Sequence, residues 1–289
     1  MANKYYVANN GLNTSSSWAA TPYGAGGDGV PADGDDVFFL TLSGELSVGL
    51  DAFETGVPGT ITISKGCNLF IESGSSMSIG DGTNTCTQID CQGGGSQWSF
   101  TAAAANAIDD ININTSGVVT ITKTTGANSL DNVYIDRGSV NFRGTLKPNI
   151  YNFGGIVDIR GGGTIGTLDC LAGNTVVKDD VTTLNCAGTA RVTMDEDTSI
   201  TTADVRGGML NLRSVGTTTT LNQRGGMVSP DGSIGTHTIT TANIYGTNAP
   251  TSFITTVGLS SFSIGTSNYF GTVSPKSSDT STTDFGAGA

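Results

Sequence analysis

The sequence predicts an all-β chain that folds as one parallel β-solenoid, an irregular β-helix with coils of about 18 residues. Three observations lead to this fold class. Glycine accounts for 42 of 289 residues, and charged residues make up only 13%, about half of their usual share. Threonine, asparagine and valine are abundant, whereas strong helix formers are scarce, which disfavours helices. The third observation is an internal repeat of the size of one coil.

The repeat is a glycine, mostly preceded by a small residue, that recurs at a slightly variable interval between positions 138 and 246. The repeating glycines are Gly138, Gly155, Gly173, Gly188, Gly208, Gly226 and Gly246. Between them, apolar and polar residues alternate over short stretches such as 157–160 and 210–213, which is the pattern of a half-buried strand. A unit this small cannot bury its own apolar face, so the coils must stack and share one core.

Three segments follow from this pattern. Residues 1–36 are rich in aromatic and turn-forming residues and are predicted to form an N-terminal cap that also serves for attachment. Residues 37–250 carry the solenoid. Residues 251–289 lose the phase of the repeat and are predicted to form a C-terminal cap and a flexible tail.

The net charge of -12 and the hydropathy pattern exclude several classes of protein. An acidic chain is a poor nucleic-acid binder. No apolar stretch approaches the roughly 20 residues of a membrane span, and the first residues lack the apolar centre of a signal peptide. The five cysteines are an odd number without a CxxC pair, which predicts free and mostly buried thiols in a reducing compartment such as the cytoplasm.

The candidate catalytic and metal-binding residues all have structural interpretations that we prefer. An acidic turn (Asp33, Asp35 and Asp36) could bind Ca²⁺ but fits better as a turn with a capping carboxylate. The carboxylates of 179–180 and 195–197 are expected in solvated corners, because neighbouring strand residues point to opposite faces. The single histidine, His237, is expected to be exposed on a strand. Thr-x-Thr pairs, as at 238–240, lie too far apart for an ice-binding array. No catalytic residue, metal or cofactor is predicted.

Two columns of equivalent positions are predicted inside the repeat. Polar residues form a ladder of stacked side chains between coils; its members are Asp169, Asn185, Asp204, Asn222 and Asn243. Cys170 and Cys186 are equivalent residues one coil apart and are expected to stack as thiols in the core, although a bridge between them is conceivable.

All seven arginines lie between positions 137 and 224. Aligned on the glycines, Arg143, Arg160, Lys178 and Arg213 share one outward position, with Thr193 interrupting the column. Like charges at strand spacing repel. The column must therefore face a partner, through Arg143, Arg160 and Arg213, or be neutralised within the chain by Asp158 and Asp169.

The N-terminus resembles the opening of Gly/Thr-rich β-helical structural proteins of tailed bacteriophage virions. The resemblance is carried by residues 1–7 (MANKYYV), 18–21 (WAAT), 24–31 (GAGGDGVP) and 34–39 (GDDVFF), and it covers the first part of the chain closely. It implies a structural role on a virus particle, either on the head or on the tail.

The combined expectation is a non-enzymatic virion protein made in the host cytoplasm, namely a capsid decoration (cement) protein. Its expected partners are the major capsid protein and two further copies of itself in a homotrimer. The rings of Tyr5, Tyr6, Trp18 and Tyr23 are expected to anchor it to the shell, although they could instead plug the first coil. The alternatives are a tail fibre or tailspike that binds host glycan and a polysaccharide-active enzyme.

Overall fold

A computed structural model describes residues 2–7, 11–40, 46–48, 53, 56–67, 69–71, 76–92, 97–104, 107–123, 130–145, 148–230, 235–245 and 262–270. The described ranges are nearly all β-structure and contain no α-helix. It follows that they contain no helix long and apolar enough to cross a membrane. The chain divides into two compact units, Met1–Asn149 and Ile150–Ala289.

The N-terminal unit is built from parallel coils behind a short antiparallel start. Its strands are β1 (Asn3–Tyr6), β2 (Trp18–Ala19), β3 (Asp36–Phe39), β4 (Leu46–Val48), β5 (Thr60–Ile63), β6 (Leu69–Ile71), β7 (Met77–Ile79), β8 (Cys86–Cys91), β9 (Gln97–Ala102), β10 (Ile108–Lys123) and β11 (Leu130–Arg143), and a 3₁₀ turn occupies Ser15–Ser17. Strand β1 pairs antiparallel with β2 and parallel with β3. Parallel pairing then continues through β5, β8, β10 and β11.

The coils of this unit are longer than the sequence predicts. Five residues are partners on successive strands and mark the length of each coil: Asp36, Thr60, Gln88, Asp110 and Asn132. Every interval between them exceeds the longest interval between the repeating glycines. The regular glycine repeat, on which the predicted coil length rests, begins only at Gly138, and extending that length toward the N-terminus was wrong.

The C-terminal unit contains the regular solenoid. Its strands are β12 (Asn149–Asn152, which crosses the unit boundary), β13 (Ile156–Ile159), β14 (Thr164–Cys170), β15 (Asn174–Val177), β16 (Asp180–Cys186), β17 (Arg191–Glu196), β18 (Ile200–Val205), β19 (Met209–Ser214), β20 (Thr217–Gln223), β21 (Met227–Pro230), β22 (His237–Tyr245) and β23 (Phe262–Phe270). The even-numbered strands from β12 to β22 form one parallel column, which β23 extends, and the odd-numbered strands from β13 to β21 form another. The predicted parallel β-solenoid is confirmed, with about 19 residues per coil.

The core of the C-terminal unit consists of apolar side chains stacked in columns. Leu168, Leu184, Ala203, Leu221 and Ala242 are partners on successive coils, and each is 0% exposed. Fully burying a leucine contributes about 1.5–3 kcal/mol, so each added coil extends a continuous core. The prediction of buried free thiols is also confirmed: all five cysteines are free and buried, and Cys170 is the direct partner of Cys186.

The predicted ladder of polar side chains is confirmed by the register, and Asn268 on β23 extends it. The Asn185 amide donates to the Asp169 carboxylate, and the Asn243 amide donates to Asn222 Oδ1 at 2.9 Å. The parallel pairing therefore continues past residue 250, where the sequence predicts the solenoid to end. Residues 251–261 and 271–289, to which a cap and a flexible tail were assigned, lie outside the described residues.

Two of the predicted aromatic anchors belong to the core of the N-terminal unit. Tyr6 is 1% exposed and Trp18 is 0% exposed. Their ring centroids lie 5.1 Å apart, and the indole N–H of Trp18 donates to the Leu12 carbonyl at 2.7 Å. The prediction that Tyr6 and Trp18 bind a partner is wrong, because these rings pack with Phe39 and close the first coil.

Candidate functional site

The acidic turn before β3 is a structural cap. Asp35 accepts hydrogen bonds from the backbone N–H groups of Ala2 at 2.7 Å and Ala32 at 3.1 Å. Asp33 accepts one from the N–H of Val57 at 2.8 Å. These carboxylates tie the N-terminal segment to the first coils. In the part of the chain that the structure describes, no group of three or more His, Cys, Asp or Glu side chains is placed to hold a metal ion.

The other carboxylate clusters are also engaged, and the expected solvated corner is wrong for Asp179, which is only 3% exposed. Asp179 accepts a hydrogen bond from the N–H of Gly162 at 2.6 Å, and Asp180 accepts one from the N–H of Ser199 at 2.8 Å. Asp195 and Glu196 both form ion pairs with Lys178. Each of these carboxylates thus connects neighbouring coils.

His237 is buried, contrary to the expectation of an exposed strand residue. It is only 2% exposed, and its ring nitrogens contact the hydroxyls of Ser214 at 2.8 Å and Thr218 at 2.9 Å. Burial lowers the pKa of His237 to about 4. Both residues that supply these hydroxyl groups are themselves buried. The cluster is therefore a polar element of the core, since substrate could not reach it.

The predicted basic column contains a carboxylate. The register of the C-terminal unit pairs Asp195 with Arg213, and Asp195 lies 3.6 Å from Lys178 and 3.7 Å from Arg213. Asp195, and not Thr193, is the residue that interrupts the column. Arg160 pairs with Asp158 at 2.8 Å. The interpretation that carboxylates of the same chain neutralise the column is therefore correct for Arg160, Lys178 and Arg213. Asp169 instead accepts the amide of Asn185.

The remaining predicted contact residues occupy separate places. The Arg143 guanidinium donates to the Phe142 carbonyl at 2.8 Å. Tyr5 is half-buried and stacks on Phe38 with ring centroids 4.9 Å apart. Tyr23 is 69% exposed, with a left-handed backbone φ of 59°. Of the four predicted aromatic anchors, Tyr23 alone presents most of its side chain to solvent.

A threonine column exists that the spacing of Thr-x-Thr pairs did not reveal. Six threonines are direct partners on successive coils: Thr167, Thr183, Thr202, Thr220, Thr241 and Thr266. On four of these coils the preceding residue is also an exposed threonine, as in Thr182 and Thr201. Two successive outward residues mark a change of phase in the strand. Threonine has a high β propensity, which accounts for its use here.

The clearest candidate for a binding surface is a row of turns on the C-terminal unit. Each turn leaves an even-numbered strand and enters the next odd-numbered strand. The first turn residues are Phe153, Leu171, Ala187, Arg206 and Arg224. Each turn is followed by the first residue of an odd-numbered strand. These residues are Ile156, Asn174, Arg191, Met209 and Met227, which are register partners. We call these ten residues, with the small residues between them, the turn ridge.

Glycine allows the turns of the ridge to stack closely. A Cβ atom on Gly173 would lie 2.2 Å from the Gly155 carbonyl oxygen, and one on Gly208 would lie 2.3 Å from that of Ala190. Both glycines also have left-handed φ values, of 79° and 65°. Larger side chains are thus excluded at these glycines, and only small residues lie between the two rows.

One end of the ridge is apolar. Phe153 is 43% exposed, Ile156 is 60% exposed and Leu171 is 51% exposed. Phe153 and Ile156 bound the same turn, and Leu171 lies beside Phe153 on the next coil. The described residues include five exposed large hydrophobic side chains, and three of them meet here. Such a patch on a chain with few apolar surface residues is typical of a protein-binding site.

The other end of the ridge is basic. Arg206 donates to Asp204 from two nitrogens, at 3.1 and 2.7 Å, and Arg224 lies 3.6 Å from the same carboxylate. The Arg224 guanidinium also covers the ring of Tyr245 at 4.2 Å. None of the ten flanking positions is lysine, aspartate or glutamate. Aromatic residues, methionine and arginine are the types enriched at protein interfaces.

Comparisons with protein-family models, with curated proteins and with solved structures found no match.

Proposed function

We propose that the chain is a non-enzymatic structural protein of a bacteriophage virion that decorates the head, where it binds the major capsid protein and stabilises the shell. The observation that carries the proposal is the apolar end of the turn ridge, where Phe153, Ile156 and Leu171 are exposed together. A rigid solenoid places these side chains at fixed spacing, so binding requires little ordering of the protein. The N-terminal resemblance supports the virion setting.

A decoration protein needs a rigid body and a surface that a shell protein can cover. Burying three large apolar side chains at the centre of a contact supplies the kind of anchor that dominates protein interfaces. Tyr23 offers a second contact, on the N-terminal unit, since its ring is 69% exposed.

Removing residues 2–23 is not a suitable test of attachment. The deletion would take Tyr6 and Trp18 out of the core of the N-terminal unit, where both are almost completely buried. Removing a buried aromatic side chain costs about 3–5 kcal/mol, so the truncated unit would be destabilised as well as deprived of Tyr23. Point substitutions of exposed side chains separate attachment from folding.

The experiment uses full-length protein and phage heads that lack it, and sedimentation measures binding. The double variant Ile156→Ser/Leu171→Ser is expected to bind at least about thirtyfold more weakly than the unmodified protein. Val215→Ser is the matched control, because Val215 is also exposed, at 38%, but lies off the ridge. Thermal unfolding should show that all three proteins are folded. Equal binding by the double variant would refute the proposed surface, and adsorption to host cells without head binding would favour a fibre.

A further inference from the structure

The basic end of the turn ridge carries more positive charge than its own carboxylate neutralises. Arg206 and Arg224 share Asp204, whose side chain is 14% exposed, whereas their own side chains are 65% and 47% exposed. Arg191 adds a third exposed guanidinium on the ridge, where it is the register partner of Met209. Asp169 also acts on Arg206, so three guanidinium groups and two carboxylates leave a net charge of +1 at this end, on a chain whose total charge is -12.

The N-terminal unit carries the complementary feature. Strands β10 and β11 pair Ile108 with Leu130 and Asp110 with Asn132, which puts Asp109 opposite Asp131 on the next coil. Asp131 is exposed, and Asp109 is half-buried. Burial, followed by the negative charges of Asp131 and Asp110, raises the pKa of Asp109. Among the described residues, no cation forms an ion pair with this acidic pair. Like charges directly opposite on paired strands destabilise a sheet.

We propose that the basic end of the turn ridge binds the acidic pair, Asp109 and Asp131, of a second copy of the same chain. The spacings match: Arg206 and Arg224 lie one coil apart, and so do Asp109 and Asp131. Paired strands are separated by about 4.8 Å in both units. Two guanidinium groups can therefore meet two carboxylates at the same repeat distance. The contact relieves the repulsion between the paired aspartates.

The distribution of charge along the chain also favours a second copy of the chain as the partner of the basic end. Residues 1–136 contain 3 basic and 14 acidic residues, so they carry -11 of the total charge. A second copy consequently presents its acidic unit to the basic end of the ridge, and complementary charges of this kind set both partner choice and orientation. Because the two surfaces differ, the contact is heterologous, and contacts of this type close into a ring or continue as a chain.

Self-association is expected from the sequence and goes beyond the proposed function; the inference names the two surfaces that meet. The proposed contact between copies does not involve Phe153, Ile156 and Leu171, which are the residues proposed to bind the capsid shell. Loss of self-association and loss of head binding are therefore separate outcomes, because they follow from different substitutions on different parts of the protein.

The test is a charge-swap mixing experiment with full-length protein, using light scattering and sedimentation velocity at low salt. Variant one is Arg206→Glu/Arg224→Glu, and variant two is Asp109→Lys/Asp131→Lys. Each variant blocks one of the two surfaces, so each alone is expected to self-associate at least about tenfold more weakly than the unmodified protein. In an equimolar mixture the intact arginines of variant two match the intact aspartates of variant one, and the introduced glutamates match the introduced lysines. The mixture is therefore expected to form assemblies that contain both variants and that higher salt dissociates.

The matched control is Arg160→Glu/Arg213→Glu, because these arginines are exposed and lie near carboxylates but are not on the ridge. The control is expected to associate as the unmodified protein does. Circular dichroism at the same temperature verifies folding, and the neutral variant Arg206→Gln/Arg224→Gln replaces variant one if the glutamates unfold the protein. An unmodified protein that stays monomeric overturns the proposal. So does undiminished association of variant one, or a mixture that contains only monomers.

Discussion

Protonation of His237 should destabilise the C-terminal unit, because the imidazole is neutral in the folded protein. Ser214 donates its hydroxyl hydrogen to the Thr198 carbonyl at 3.1 Å, so its oxygen accepts from Nδ1–H of His237. Nε2 then accepts from the hydroxyl of Thr218 at 2.9 Å. This arrangement uses one donor and one acceptor of the ring, which is the pattern of the neutral tautomer. A second ring proton would meet the Thr218 hydroxyl, which could no longer donate to that nitrogen.

The size of the effect follows from the pKa. Burial lowers the pKa of His237 from 6.5 to about 4, so the unfolded chain binds the proton more tightly than the folded one. The contribution to stability is therefore complete above pH 6.5 and is lost as the pH falls toward 4. Between pH 7 and pH 4.5, linkage gives a loss of about 2 kcal/mol in the free energy of unfolding.

Histidine occurs once in the chain, so ¹⁵N-labelled imidazole gives an unambiguous NMR titration. The midpoint is expected well below 5. Urea unfolding at pH 7 and pH 4.5 then measures the loss of stability, with His237→Gln as the control because an amide keeps a donor and an acceptor but does not titrate. Carboxylates titrate in both proteins, so the difference between them isolates the imidazole. An NMR midpoint near 6.5 would show a solvated ring and refute the reasoning.

Two further outcomes are expected. Gly208→Ala should lower the free energy of unfolding by about 3 kcal/mol, because its Cβ would lie 2.3 Å from a carbonyl oxygen at a φ of 65°. Gly162→Ala, with a φ of 80° but nothing within 4 Å, should lose only about 1 kcal/mol; equal losses in thermal melts would contradict the steric explanation. Burial raises the pKa of Cys170 to about 12 and that of Cys186 to about 11, so a thiol reagent should modify these residues only in urea. Rapid modification of the native protein would show that the coils open.

Much of the fold was predictable because the same constraint acts on every coil. A buried position must be apolar, and a tight stacked turn must be glycine, so both recur with the period of the solenoid. The ladder from Asp169 to Asn243 was predictable for the same reason, since equivalent outward positions stack. In the N-terminal unit the coils differ in length from one to the next, as the partners Asp36, Thr60 and Gln88 show, so no fixed spacing in the sequence discloses them.

Alignment on glycine alone could not determine register or burial. Counting from the glycine placed Thr193 beside Lys178, whereas the strands pair Asp195 with Arg213. The reason is that the turn at 187–190 is longer than its neighbours and its glycine comes earlier in it. The burial of His237, Tyr6 and Trp18 depends on which face of a strand meets the core. Histidine, tyrosine and tryptophan occur both at interfaces and in cores. Residue type alone therefore does not distinguish an interface position from a core position.

The turn ridge escaped sequence reasoning although the repeating glycines mark its position. The spacing of the glycines gives the period of the coils but does not show which flanking side chains are exposed. In a turn whose central residues are held to glycine or other small side chains by the coil beneath, the flanking side chains point outward and contribute little to the core. Packing of the core therefore does not determine which residues occupy these flanking positions. If the positions only faced solvent, short polar residues would be expected there. Phenylalanine, isoleucine, leucine, arginine and methionine at these positions instead support the proposed protein contact, because aromatic residues, methionine and arginine are enriched at interfaces. In a solenoid, therefore, the side chains that flank a repeated turn are the first place to search for an interface.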